Sequence, residues 1–151
     1  MANKPFRVAL SANFRQSDGS MTYPSFDLSS LEDTNGVDLD FLSLCDPINS
    51  NDLEDFDALI LLSEKFTASS LPNSGRLSIV ARFGVGYDTV DLDACTKRDV
   101  AVCITPNGVR RPVAVSILTL MLSLTGKLLI KDRLTRAGPQ GFIERSDHMG
   151  V

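Results

Sequence analysis

Short apolar runs recur through the first two thirds of the chain, separated by polar, turn-rich stretches. Phe6 to Ala12 is short and rich in β-formers, which predicts a first strand. Val37 to Leu44 alternates apolar and polar before turning apolar, the pattern of a second strand near a sheet edge. Asp57 to Ser63 is apolar without a break and is bounded by turn signals, so it reads as a strand buried on both faces of a parallel sheet. Ser78 to Phe83 and Ala101 to Ile104 predict the fourth and fifth strands.

Helical signals fall between these runs. Pro24 to Glu32 predicts a short helix with Pro24 in its first turn and Asn35-Gly36 closing it. Thr67 to Leu71 predicts one helical turn. Asp91 is placed to cap a further helix, with Leu92, Ala94 and Cys95 as its apolar side. Strand and helix alternate, so the fold class is α/β: a flavodoxin-like parallel sheet with helices on both faces, over residues 1–105.

The remainder has a different pattern. Thr105-Pro106-Asn107-Gly108 stops the fifth strand, and Pro112 opens a long helix from Val113 to Leu129. Its apolar residues occupy nearly every side, and a helix apolar all round has to be buried all round. A five-stranded domain with short helices offers too little surface for that. The helix therefore expects partners beyond this domain.

The chemistry concentrates at the end of the fourth strand, in Arg82-Phe-Gly-Val-Gly-Tyr-Asp-Thr-Val-Asp91. Gly84 and Gly86 have the spacing of the first two glycines of a dinucleotide fingerprint, but Thr89 stands at the third position. The close helix packing that a pyrophosphate needs is thereby lost. Two readings stay open on chemistry alone. One is a plain glycine turn. The other is a small anion nest, in which the amides of Val85 and Gly86 point outward together and suit a carboxylate.

Composition narrows the classes. A net charge of −4 over 151 residues gives no concentrated basic face, which argues against a nucleic-acid partner. Cys45, Cys95 and Cys103 are odd in number and widely spaced. They suggest reduced thiols in a cytoplasmic protein rather than a disulfide framework or a zinc site. Asp46, Asp52, Glu54 and Asp55 cluster without a histidine, the mark of a solvated surface segment rather than a metal site. Lys65 reads as an exposed lysine. The N-terminus lacks the apolar core of a signal peptide. The apolar run from Val113 to Leu124 falls short of the roughly 20 residues a membrane span needs.

Arg82 to Arg98 resembles the substrate-loop signature of the D-isomer-specific 2-hydroxyacid dehydrogenases. So do Val100-Ala-Val-Cys-Ile-Thr-Pro-Asn-Gly108 and Pro112-Val-Ala with the apolar helix after it. The resemblance runs in register from about Ser78 to the last residue. It departs at Val115, where many members of the family carry glutamate. It implies that the amides of Val85 and Gly86 receive a substrate carboxylate, with Gly84 making the turn. It implies NAD or NADP as cofactor, with Val113 near the nicotinamide. It also implies a homodimer built partly on the apolar helix.

Lys131 to Phe142 then resembles a charged helix end and loop. His148 to Val151 resembles the lead-in to a cofactor domain, so residues 106–151 form an interdomain segment. On this reading the family's catalytic arginine, glutamate and histidine lie beyond Val151. No catalytic residue is assigned here, and His148 does not match the family's acid. Arg110 and Arg111, ahead of Pro112 at the helix start, either bridge an anion there or extend into water, and water is the favoured reading. The expectation is the substrate-domain portion of an oxidoreductase that interconverts 2-keto acids and D-2-hydroxy acids, inactive alone. The alternative is a non-catalytic flavodoxin-like binding or dimerisation module. A phospho-acceptor receiver domain fits less well, because Ser11, Ala12 and Ser63 stand where it needs carboxylates.

Overall fold

The computed structural model describes residues 4–149, so the expectations for Met1–Asn3 and for Gly150–Val151 lie outside the described residues. The chain divides into two compact units, one up to Pro106 and one from Asn107.

The first unit is built on five parallel strands: β1 (Phe6–Ser11), β2 (Val37–Leu42), β3 (Ala58–Leu61), β4 (Ile79–Arg82) and β5 (Ala101–Ile104). Their order is β2-β1-β3-β4-β5. That is the flavodoxin-like order, and its switch point lies between β1 and β3. Parallel strands show their side chains to alternate faces, and the core divides accordingly. Ala9, Leu59, Leu61 and Val80 meet Ile48, Leu53, Phe56, Phe66 and Cys95 on one face. Val8, Leu10 and Ala58 meet Phe14 and Leu28 on the other. Helix α2 (Leu92–Lys97) covers the first face through Ala94 and Cys95, and Asp91 caps it by accepting from the Ala94 amide at 2.9 Å. Leu92 is exposed rather than part of that apolar side. Helix α1 (Ser29–Glu32) lies against the second face through Leu31.

Several expectations need correction. The helix predicted from Pro24 shrinks to Ser29–Glu32, because Tyr23 and Phe26 are drawn into an aromatic cluster that a helix there would break. Phe26 stacks on Phe14 at 4.7 Å, and Tyr23 lies 5.2 Å from Phe83.

The long helix, α3, runs from Pro106 to Thr125 instead of from Val113 to Leu129. Thr105 ends β5 by donating its amide to the Gly84 carbonyl at 2.8 Å. Pro106 then pre-sets the first helical φ, and Pro112 is carried inside the helix. At the other end Lys127 turns left-handed at φ 50°, and α4 (Leu128–Arg136) begins afresh.

Nor is α3 buried on any side. No residue of it is buried, and Leu122 and Leu124 are 71% and 77% exposed. The shortfall in length also disappears: with 20 residues, α3 is long and apolar enough to cross a bilayer by length and composition. The two turns from Pro106 to Pro112 supply the added length.

In the second unit a turn at Gly138 leads into α5 (Pro139–Glu144), a helix where a loop was expected. Gly141 lets α5 pack on α4, since a Cβ there would overlap the backbone of Leu134.

Candidate functional site

Strand β4 delivers the glycine turn to the carboxyl edge of the sheet. Arg82 pairs with Leu61 of β3 and with Ile104 of β5, and the Phe83 amide donates to the Leu61 carbonyl at 2.8 Å. The turn then opens at Gly84, which is buried and has φ +139°, a conformation that strains any side-chain-bearing residue. Two bonds latch Gly84 to the end of β5. Its amide donates to Thr105 Oγ1 at 2.7 Å, and its carbonyl accepts from the Thr105 amide.

Val85 and Gly86 follow, both exposed. Among the described residues no acceptor takes the amide of either one. A Cβ on Gly86 would make only an ordinary contact, with Asp88 Oδ2 at 3.8 Å, so a carboxylate borders the space beside the turn. Two unpaired amides beside that space can receive an anion.

The residues that surround the turn were not legible in the sequence. Arg82 is half-buried, and its guanidinium lies where a Gly84 side chain would project. Its Nη1 donates to the Phe83 carbonyl, while Nε is buried without a partner among the described residues. Arg82 forms no ion pair among those residues either. A buried donor left unpaired calls for an explanation. A charged residue closing an otherwise apolar strand was the one signal available for it.

An aromatic wall stands behind the turn. Phe83 meets Phe14 edge-on at 5.3 Å and Phe26 at 5.1 Å. The loop after β1 supplies Phe14, Tyr23 and Phe26.

At the switch point sits Glu64, 4% exposed. It accepts from Ser11 Oγ, from Asn13 Nδ2 at 2.8 Å and from the Ser63 amide at 3.0 Å. Burial pushes its carboxyl group up. The hydrogen bonds from Ser11, the backbone and Asn13 outweigh burial and hold it below the usual range. Lys65 next to it is exposed, as expected.

Val113 lies in the second unit, on α3, and is 52% exposed. Among the described residues no three His, Cys, Asp or Glu side chains are placed to hold a metal. Nor do the described residues fit a dinucleotide. The turn lacks the third glycine, and α2 starts only at Leu92, too far along to present its amides to a pyrophosphate beside Gly84.

Known proteins resemble this chain in sequence and in fold. The chain is 38% identical to glyoxylate reductase of Thermococcus gammatolerans over 87 residues, which make up 57% of this chain and 26% of that protein. The corresponding enzyme of Thermococcus kodakarensis is 36% identical over the same length. The chain thus spans about a quarter of these relatives. Among solved structures, NAD-dependent formate dehydrogenase from Staphylococcus aureus superposes with a TM-score of 0.71 at 20% identity, over 95% of this chain and 45% of that one. D-mandelate dehydrogenase from Rhodotorula graminis gives 0.68 at 23% identity, over 95% and 44%. These two likenesses establish the shared fold. Residues 23–115, more than half of the chain and including the whole glycine turn, match the catalytic domain of the D-isomer specific 2-hydroxyacid dehydrogenases, and the chain belongs to that family.

Proposed function

We propose that this chain supplies the substrate-binding half of an NAD(P)-dependent oxidoreductase that interconverts 2-keto acids and D-2-hydroxy acids. The observation that carries the reading is the pair of exposed, unpaired amides at Val85 and Gly86. A 2-keto acid offers a planar carboxylate that takes two backbone amides without a side chain in the way. Arg82 adds a cation beside them, and Phe83, packed on Phe14 and Phe26, anchors the start of the turn. The nicotinamide, when bound, supplies the hydride. No step of that transfer is assigned to residues of this chain. The expected result is no turnover by the 151 residues alone.

Titration with glyoxylate, followed by amide resonances, checks the site. The Val85 and Gly86 signals move saturably while those of β2 stay still. Unmoved signals at 85 and 86 would overturn the carboxylate site. Steady NADH oxidation by this chain with glyoxylate would overturn the assignment of chemistry elsewhere.

The same reading makes α3 a protein interface in a homodimer, in the reducing cytoplasm that three free thiols suit. The exposed apolar helix favours it over a self-contained module. A membrane span suits α3 less. Arg110, Arg111 and Pro112 lie in its first two turns, and Val113 to Thr125 rises only about 20 Å against a hydrocarbon core of about 30 Å. Leu122→Glu places a charge in the interface and weakens self-association about tenfold or more by sedimentation. Association unchanged by the charge would place the interface elsewhere.

A further inference from the structure

We propose that Glu64 is a positioning residue for the glycine turn, acting across the sheet through Asn13, Phe14 and Phe83. The inference rests on the carboxylate site proposed above, and it adds a residue that the site's own geometry does not require.

Glu64 is one of three buried polar residues among those described, with Ser11 and Ser70. Burying a carboxylate costs free energy that an apolar residue in the same place would not. Its hydrogen bonds offset that cost, and all of them go to the ends of β1 and β3. Ser11 Oγ donates to the carboxylate and also accepts from the Asn13 amide at 3.2 Å, and Asn13 Nδ2 donates to the same carboxylate oxygen. The turn over Ala12–Phe14 is therefore tied to β3 at two successive points.

Phe14 comes next in sequence. It is fully buried, stacked on Phe26 and edge-on to Phe83. Phe83 is the residue directly before Gly84. Each link is a direct contact, and the chain of contacts begins at one charge and ends at the turn. Beyond Glu64, the segment running from β3 returns to the same region: Phe66 donates its amide to Thr89 and accepts from Asp91 at 2.8 Å each. Glu64 thus sits inside a frame that fixes both ends of the glycine loop.

The test uses the 151-residue chain with glyoxylate as the probe and reads the amide resonances of Phe83 to Gly86. In Glu64→Ala those resonances move in the free protein, and glyoxylate affinity falls about tenfold. Glu64→Gln keeps an acceptor toward Ser11 and Asn13 and recovers most of both. Asn13→Ala, at an exposed residue, removes one tie while the Glu64 carboxylate keeps its bonds from Ser11 and the Ser63 amide, gives a loss of about threefold, and decides the matter if Glu64→Ala does not fold. Resonances and affinity unchanged in the folded variants would overturn the positioning role. The two proposals fail separately. If glyoxylate moves nothing in the unmodified chain, the carboxylate site falls, and the free-protein resonances of Glu64→Ala and Asn13→Ala still judge the positioning role. A shift in thermal stability with the 83–86 signals in place would make Glu64 a structural residue only, and would also overturn it.

Discussion

Gly84→Ala loses about 2–3 kcal/mol of stability and takes glyoxylate binding with it. Two effects act at this position, and they can be separated. An added Cβ would meet the Arg82 guanidinium, with Cζ at 2.9 Å. That guanidinium ends a flexible side chain and can swing aside, so the collision alone is cheap. The backbone is not so free. At φ +139° an alanine is strained wherever its neighbours go, and relief means turning the peptide planes on either side. Those planes carry the two bonds to Thr105, and the second of them, which holds the Gly84 carbonyl, also carries the Val85 amide.

The double variant Arg82→Ala/Gly84→Ala distinguishes the causes. With backbone strain in control, removing the arginine restores neither stability nor binding. Recovery in the double variant would mean that the collision was the cause. Chemical denaturation and the glyoxylate titration measure both quantities. Gly84→Ala indistinguishable from the unmodified chain in both would mean that the turn does not need its glycine.

What could be read in advance followed the range over which each signal acts. The strands were legible because an apolar run declares itself within a few residues, and β3 was recognisable as a buried parallel strand from the run Asp57 to Ser63 alone. The cap at Asp91 and the turn at Gly84-Val85-Gly86 are local in the same way. Glu64 was not legible, because Ser63-Glu64-Lys65 reads as an ordinary polar strand end. Its meaning comes from Ser11 and Asn13, which lie 53 and 51 residues away in sequence. Two polar residues closing the strands on either side of the switch point were the only hint. Phe26 misled for the same reason: its neighbours along the chain permit a helix, and its neighbours in space forbid one. Pro112 misled differently. Pro106 meets the same rule for a helix start six residues earlier, and the Gly84–Thr105 latch, which links two strands, decides between them. The burial expected of α3 fails within one chain because composition says that a surface will be covered without saying by what.

At the opposite edge of the sheet, Asp57→Ala costs about 2–3 kcal/mol and leaves glyoxylate affinity unchanged. Asp57 precedes β3 and gathers three elements. Its carboxylate accepts from Arg76 Nε at 2.8 Å and Nη2 at 2.6 Å, and from the Arg7 amide of β1 at 2.7 Å. Its carbonyl accepts from the Ser78 amide, just ahead of β4. Both side chains of the Asp57–Arg76 pair are only 17% exposed, so solvent screens them less than a surface pair. The two bonds from one guanidinium also make a fork that a lysine would not reproduce. Removing the carboxylate strands a largely buried guanidinium with, among the described residues, only the Pro5 carbonyl left to receive it.

The Arg76 hydrogen bonds hold the Asp57 carboxyl below its usual range, against the opposing pull of burial, and the Arg7 amide and the Arg76 charge add to them. A carboxylate whose folded value is depressed contributes stability that is complete above its unfolded value, near 3.9, and is lost as pH falls through the folded value. Glu64 at the other edge is shifted in the same direction and adds to the slope. The unmodified chain therefore loses stability as pH drops below about 4. Asp57→Asn, less stable at neutral pH, loses less over that window, so the two curves converge in acid. Urea denaturation at neutral pH and at about pH 3.5 measures the difference. Parallel curves would show that the pair is too well solvated to matter. An equal loss of glyoxylate binding in Asp57→Ala would show that damage at either edge of the sheet reaches the glycine turn, leaving Glu64 no special hold on it.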